Sequence, residues 1–371
     1  SYIFFHPSHQ VSLYFMNQDA FVFASPVEGE YRTQWQAPSN IALVKYWGKH
    51  GEQLPRNPSL SFTLSQCVTT TSVHFSPKQG QEENFNFLFD QKKQADFHPK
   101  IQQFLDRITP YFPALAQHRL SISSHNSFPH SSGIASSASA MAALALCIVD
   151  FEKQHHPDWT QEASLQKASF LARLGSGSAA RSISGPIMVW GESAPFSASS
   201  DQYAIVPRGE WHPVFQNYQD TVLIVDKGQK KVSSTLGHGL MEGHPFAAQR
   251  FEQAHQKMAA LKNVFNTGDL TQFIDIIEGE ALSLHALMMT SQPRFLLMQT
   301  LTLAIIQKIW HFRSQSHLPL CFTLDAGANV HLLYPQQDRV SIMDFIKNEI
   351  SSYCQNGEYI LDQVGNGAQK I

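Results

Sequence analysis

Residues 123–139, SSHNSFPHSSGIASSAS, lead without a break into an apolar helical run that continues to Gln154. A polar loop containing glycine that feeds a helix in this way is suited to holding an anion. Gly133 frees the backbone to approach a ligand, while Ser136, Ser137 and Ser139 set hydroxyls beside the amides of the first helical turn, which lack intrahelical partners. Those amides, together with the positive end of the helix dipole, favour phosphate. Taken alone, the stretch reads more readily as a serine-capped helix behind a surface loop. The rest of the chain decides between the two.

At 371 residues the chain exceeds what one core usually organises, so two domains or one two-lobed unit is expected. Its apolar content of 43% is ample for such cores. A formal charge of -3 with no clustered Lys/Arg tract argues against a nucleic-acid partner or a polybasic membrane patch. Any anionic ligand must therefore be met by local groups. Cys67, Cys147, Cys321 and Cys354 are widely spaced, with no CxxC pair, which suggests free thiols in a reducing compartment. No uninterrupted apolar stretch reaches the roughly 18 residues of a spanning helix, and no basic region followed by an apolar run opens the chain. A cytoplasmic protein is expected. Residues 1–30 read as an N-terminal extension that packs on the body or on a partner.

The pattern divides near residues 208–220. Before it, strand-like segments at about 40–45, 60–76, 84–90, 119–124 and 185–190 alternate with helical runs at about 98–109, 136–154 and 161–173. After it, a strand at 221–226 precedes helices near 246–265, 269–289 and 295–312, a strand pair at about 320–334 and a closing helix near 340–354. The fold class is α+β in two lobes, with domains at 31–210 and 211–371 behind the extension.

Neither a Walker A loop nor a GxGxxG turn occurs, and the protein-kinase glycine loop, HRD and DFG set is absent. A nucleotide would have to bind through the loop at 131–139. Three further segments carry suitable chemistry. Ala37–His50 (APSNIALVKYWGKH) places Lys45 at the end of an apolar strand, with Tyr46 and Lys49 beyond it where the chain turns at Gly48. Gly175–Ser184 (GSGSAARSIS) gathers Ser176, Ser178 and Arg181 in one tight turn, and arginine offers a fork that fits a carboxylate or phosphate. Leu320–Pro335 (LCFTLDAGANVHLLYP) sets Asp325 at a strand end among flexible residues. Singly, these are solvated lysines, a surface arginine and a hairpin aspartate. Their joint occurrence is the stronger signal.

The set NIALVKYWGK (40–49), SHNSFPHSSGIASSASA (124–140), ARLGSGSAARS (172–182), KKVSSTLG (230–237) and TLDAGAN (323–329) resembles the diphosphomevalonate decarboxylase family of the GHMP kinase superfamily. The resemblance covers about residues 35–335, and KYWGK and GSGSAxRS are features of the decarboxylase branch rather than of GHMP kinases at large. It implies a ribosomal-S5-like N-terminal lobe and a ferredoxin-like C-terminal lobe with the site in the cleft between them. The reaction it implies uses ATP and Mg2+ to convert mevalonate 5-diphosphate into isopentenyl diphosphate, carbon dioxide, ADP and phosphate. A homodimer is common in the family.

Carried over residue by residue, the resemblance gives the ATP phosphates to Pro129, Ser131, Ser132, Gly133, Ala135, Ser136, Ser137 and Ser139, with Ser136 or Ser137 near the cation. Asp325 faces the substrate's 3-hydroxyl with Lys45 beside it, and Arg181 grips the carboxylate. Ser176 and Ser178 add hydroxyls at that end, while Tyr46 and Lys49 hold the diphosphate. The chemistry agrees. A tertiary alcohol leaves poorly, so phosphorylation first creates the leaving group, a step that depends on positioning and charge stabilisation. As a general base Asp325 would contribute about 10² to 10⁴ in rate, and its charge would also favour the positive carbon that forms as phosphate departs. A mevalonate 3-kinase, a 5-phosphomevalonate decarboxylase and a catalytically silent ATP-binding regulator are the competing readings. The segment Gly237–Phe246 departs from the family, where a Gly-Met pair is more usual in eukaryotic-type members. Its His238, Glu242 and His244 match no standard zinc spacing and read as a histidine-rich loop.

Overall fold

The computed structural model of the chain describes residues 21–22, 26–129, 134, 136–228 and 232–371. A long strand, β1 (Tyr31–Val44), runs into a small hairpin of β2 (Lys49–His50) and β3 (Leu54–Pro55) and returns along the 19-residue β4 (Ser59–Pro77). The two long strands pair antiparallel from Tyr31↔Phe75 to Val44↔Leu60, with irregularities between Pro38 and Asn40 and between Ala42 and Val44. Such bulges bend a strand and re-aim its end. Lys45 is the residue that this bend directs.

Strands β5 (Phe85–Phe89), β6 (Lys92–Lys93), β7 (His118–Asn126), β8 (Ile187–Trp190) and β9 (Ala204–Ile205) extend this sheet, and only the β5·β7 pair is parallel. Helices α1 (His98–Ile108), α2 (Ser136–Lys153) and α3 (Gln161–Gly175) cover it. Every residue of α2 from Met141 to Glu152 is buried, as its alanine-rich and apolar sequence requires of a helix hydrophobic on all sides. The two acids near its end are met inside the fold: Glu152 by Lys167 of α3 at 2.6 Å and Asp150 by the Thr33 hydroxyl at 2.5 Å.

The second half forms β10 (Gln219–Leu223), α4 (Ser234–Gly239), α5 (Ala247–Thr267), α6 (Leu270–Met289), α7 (Thr300–Ser316), β11 (Cys321–Thr323), β12 (Val330–Tyr334), α8 (Arg339–Phe345), β13 (Tyr359–Gln363) and β14 (Gln369–Lys370). Its antiparallel sheet has the order β11-β12-β10-β13, and β14 returns to pair with β1 at Trp35↔Lys370. An aromatic cluster joins the two sheets: Phe62 of β4 lies 5.9 Å from both Tyr218 and Phe265, and Phe215 lies 4.8 Å from Phe265. Asp362 of β13 reaches across to β4, where its carboxylate accepts the amides of Ser65, Gln66 and Cys67 at 3.0, 2.8 and 2.7 Å.

Most expected elements are present, with informative differences. Helix α7 starts at Thr300 rather than near 295, because the Thr302 hydroxyl accepts the Gln299 amide at 3.1 Å and fixes the first turn there. The closing helix keeps α form only to Phe345 and continues as a π turn and a 3₁₀ turn to Tyr353. Strands β13 and β14 are not expected from sequence; each is defined by pairing with a distant strand rather than by a local pattern. Residues 1–20 and 23–25 of the extension lie outside the described residues, but Phe21 is fully buried and stacks on Phe170 at 4.2 Å. All four cysteines are buried and free. Among the described residues no helix is long and apolar enough to cross a membrane.

Replacing Asp362 by Ala strips three amides of their acceptor at the seam between the sheets. Urea unfolding is expected to show a loss of about 2–4 kcal/mol.

Candidate active site

Lys45 leaves the bulged end of β1 with its side chain almost wholly buried and its Nζ 3.1 Å from Oδ1 of Asp325. The main chain of Lys45 is gripped on both sides. Its amide donates to Glu280 Oε2 at 2.9 Å, and its carbonyl accepts from Arg250 Nη2 at 3.0 Å and from Asn57 Nδ2 at 2.9 Å. Arg250 of α5 and Glu280 of α6 are themselves buried and joined by two parallel bonds of 2.7 Å. A desolvated pair is stable only when its remaining donors and acceptors are satisfied; the Lys45 amide and carbonyl each meet one, and Gln253 Oε1 accepts from Arg250 Nη1 at 3.0 Å.

Asp325 sits in the turn between β11 and β12, with 30% of its side chain exposed. Its own carbonyl accepts from the Gly327 amide at 2.8 Å and from His285 Nε2 at 2.9 Å. Burial lowers the pKa of His285 to about 4, with nearby Lys45 adding to the shift, so the ring is neutral near pH 7 and carries its proton on the donating Nε2. Beyond the turn, Asn329 Oδ1 accepts the amides of Val225 and Asp226 at 2.7 and 2.9 Å. The aspartate is therefore held on a loop tied at both ends.

Arg181 comes from a 3₁₀ turn over Gly177–Ser182 and is buried against the indole of Trp190, 5.7 Å from guanidinium to ring. Its Nε donates to Ser61 Oγ at 2.5 Å and its Nη1 to Ser59 Oγ at 2.6 Å; Ser61 in turn donates to Asn40 Oδ1 at 2.9 Å. These bonds orient the fork and engage only part of its donor set. Burial pushes the Arg181 pKa down to about 10, against the fields of Tyr46 and Asp325, which leaves it cationic at neutral pH. The ring of Tyr46 packs on Trp190 at 4.6 Å and on His238 at 4.1 Å, and burial raises its phenol well above the usual range despite Arg181 and Arg173. A Cβ on Gly177 would stand 2.8 Å from the Tyr46 hydroxyl, so a glycine is required at that approach. Lys49 donates to Gln53 Oε1 at 2.7 Å, and its pKa is lowered by partial burial and by Arg107.

Lys45, Asp325, Arg181 and Tyr46 are thus brought together. Ser176, at the cap of that turn, and Ser178 within it both precede Arg181 and are half-buried, and the Ser178 carbonyl accepts from Asn40 at 3.2 Å. Ser131, Ser132, Gly133 and Ala135 lie outside the described residues. Pro129 and Ser137 are exposed, and Ser136 opens α2 half-buried, with no acidic residue in that first turn. Such a helix start suits phosphate, and two accessible hydroxyls suit a phosphate-bound magnesium ion. Ser139 differs: it is fully buried, with its hydroxyl 2.6 Å from that of Thr69 inside the fold. The histidine-rich loop converges on no metal, since His238 accepts from the Gly48 amide, His244 bonds the Leu287 carbonyl and Glu242 pairs with Arg56. Among the described residues no metal-ligating cluster occurs.

Sequence reasoning did not single out Ser59, Ser61, Asn40, Arg250, Glu280 or His285, and it read His238 only as part of a histidine-rich loop. One signal was readable: Ser59, Ser61 and Thr63 line one face of a strand whose other face is Leu60, Phe62 and Leu64, and all six are buried. Glu280 within the apolar helix IIEGEALSLHAL was a second. Substituting Glu280 by Ala leaves Arg250 buried and unpaired. Denaturant unfolding should report a loss of about 3–5 kcal/mol.

Comparison with known proteins fits this geometry. The family model described as the diphosphomevalonate decarboxylase-like N-terminal domain matches residues 37–204, and that of the mevalonate 5-diphosphate decarboxylase C-terminal domain matches residues 221–368. The diphosphomevalonate decarboxylase of Saccharomyces cerevisiae is 30% identical over 85% of this chain and 81% of its own length. The crystal structure of mevalonate diphosphate decarboxylase from Staphylococcus aureus superposes with a TM-score of 0.79 at 28% identity, covering 92% of this chain and 98% of that one. A protein designated MDDEF, solved in complex with MVAPP, AMPPCP and magnesium, gives a TM-score of 0.79 at 26% identity, covering 92% of this chain and 99% of that one. With both halves matched in order and the two-lobed fold shared, the chain belongs to the diphosphomevalonate decarboxylase family of the GHMP kinase superfamily.

Proposed function

We propose that the chain carries out the ATP-dependent decarboxylation of mevalonate 5-diphosphate to isopentenyl diphosphate, with Lys45, Asp325 and Arg181 as the groups that meet the reacting end of the substrate. The observation that carries this reading is the buried Lys45 ammonium at 3.1 Å from a partly exposed Asp325, with Arg181 fixed on the serine face of β4 beside them. ATP and the mevalonate diphosphate are the ligands that family membership and the relative solved with MVAPP and AMPPCP support.

In this assignment Asp325 takes or orients the proton of the 3-hydroxyl, whose oxygen forms a bond to the γ-phosphorus of ATP as ADP leaves. Lys45, 3.1 Å from Asp325, orients that carboxylate and opposes the negative charge of the transferred group. When the 3-phosphate departs, the electron pair of the bond to the carboxylate closes the double bond and carbon dioxide is released. Arg181 orients the carboxylate through the part of its fork that the serines do not engage. Too strong a grip there would oppose loss of carbon dioxide, because only interactions that tighten in the transition state accelerate the step. Tyr46, as a neutral phenol, and Lys49 would meet the diphosphate tail, with Ser176 and Ser178 at the other end. Ser136 and Ser137 would hold magnesium at the start of α2, where it would supply charge neutralisation between phosphates.

The test incubates the protein with ATP and magnesium plus mevalonate, its 5-phosphate or its 5-diphosphate in turn, and quantifies ADP and carbon dioxide. Both products in equal amounts from the diphosphate alone are expected. ADP without carbon dioxide would identify a kinase, and neither product a silent binder. Asp325→Ala is expected to abolish turnover while leaving ATP binding nearly intact; near-normal product formation by that variant would refute its role.

A further inference from the structure

His238 belongs to the histidine-rich segment Gly237–Phe246, and the fold brings it to the Lys45–Lys49 turn. It sits in α4, whose start is capped by the Ser233 hydroxyl accepting the Leu236 amide at 3.2 Å. The preceding Gly237 touches the turn so closely that a Cβ there would stand 2.3 Å from the Trp47 indole. The His238 ring packs on Tyr46 at 4.1 Å and on Trp47 at 4.8 Å, and it is 8% exposed. Its Nδ1 accepts the amide of Gly48 at 2.9 Å. Gly48 has φ +102°, which glycine adopts readily and side-chain-bearing residues rarely do; its carbonyl accepts the Arg56 amide at 3.0 Å, and on the amide side its partner is the His238 ring. An accepting Nδ1 has no proton, which fixes the neutral tautomer with hydrogen on Nε2. Burial, reinforced by Lys49 and Arg181, pushes the ring's pKa down to about 3, so this tautomer persists across the neutral range.

The consequence concerns the substrate's tail. Tyr46 and Lys49 lie on either side of the Gly48 peptide, and a rotation of that peptide would separate the phenol from the ammonium. We propose that His238 is a positioning residue for substrate recognition, a neutral imidazole that fixes the Gly48 peptide and the Tyr46 ring so that Tyr46 and Lys49 meet the diphosphate together. This rests on the assignment of Tyr46 and Lys49 given above. The role is one of binding rather than chemistry: the ring bonds the Gly48 peptide, while Lys45 and the Asp325 backbone have other partners in Asp325 and His285.

Three variants separate the ring's acceptor from its bulk. His238→Asn carries a side-chain oxygen near the place of Nδ1, His238→Met fills the space with only a weak acceptor, and His238→Ala removes both. With mevalonate 5-diphosphate, KM is expected to rise about tenfold in the Met and Ala variants with kcat within about threefold of the wild type, and Asn should recover most of the loss. Equal KM in the Met variant and the wild type, or Met and Asn variants that cannot be told apart, would overturn the proposal. A second readout needs no turnover: 15N-histidine spectra of the free protein, with the His238 signals assigned by their loss in the Met variant. An unprotonated Nδ1 and a protonated Nε2 are expected, and the opposite tautomer or an imidazolium at pH 7 would overturn the proposal. If the wild type turns over none of the three mevalonate compounds, the functional reading fails, and these spectra still decide whether His238 holds the Gly48 peptide.

Discussion

The buried pair between Arg250 and Glu280 is the constraint on which the site depends. Two helices of the C-terminal half supply its charges, and the peptide of Lys45, from the first sheet, completes their hydrogen bonds at 2.9 and 3.0 Å. A buried ion pair often contributes little net stability, yet it penalises every arrangement in which its members lose a partner. Here that penalty acts on geometry. If α5 and α6 shift against β1, the pair loses the amide and the carbonyl together, so the position of Lys45 and the packing of the two sheets are one variable.

The other reactive groups are held by the same logic with different parts. Asp325 rides on a turn tied by His285 and by Asn329, while Arg181 is oriented by a serine row and a tryptophan face. Each of these candidate side chains is thus fixed by neighbours that are buried and hydrogen-bonded, which is what the proposed reaction, driven by positioning and charge, requires. The two lobes contribute opposite halves of the candidate site, with Lys45 and Arg181 from one and Asp325 from the other. The aromatic seam around Phe62, Tyr218 and Phe265 and the Asp362 cap keep those halves in register.

Much of this was legible in the sequence, for physical reasons. Helix α2 announces itself by an unbroken apolar run, and the long β4 by its density of Ser, Thr, Val and Phe. Lys45, Arg181 and Asp325 stand out because each is an ionised residue at the end of an apolar or glycine-rich segment. The groups that hold them stand out less. Arg250 and His285 lie on helices where a polar residue is ordinary, and although Glu280 is conspicuous in its apolar helix, the importance of all three comes from contacts 40 residues or more away in the chain. Ser139 shows the converse: it shares the loop's composition with Ser136 and Ser137, yet its helical phase turns it into the fold against Thr69. Composition identified the motif, and only three-dimensional placement separated its members.

The Arg250–Glu280 pair would serve the proposed reaction through Lys45. A double-mutant cycle on kcat tests it most directly, combining Glu280→Gln, which keeps the shape but removes the charge, with Lys45→Ala. Glu280→Gln is expected to slow the wild type but to add nothing to the slow Lys45→Ala enzyme. Two losses that multiply independently in the double variant would contradict it.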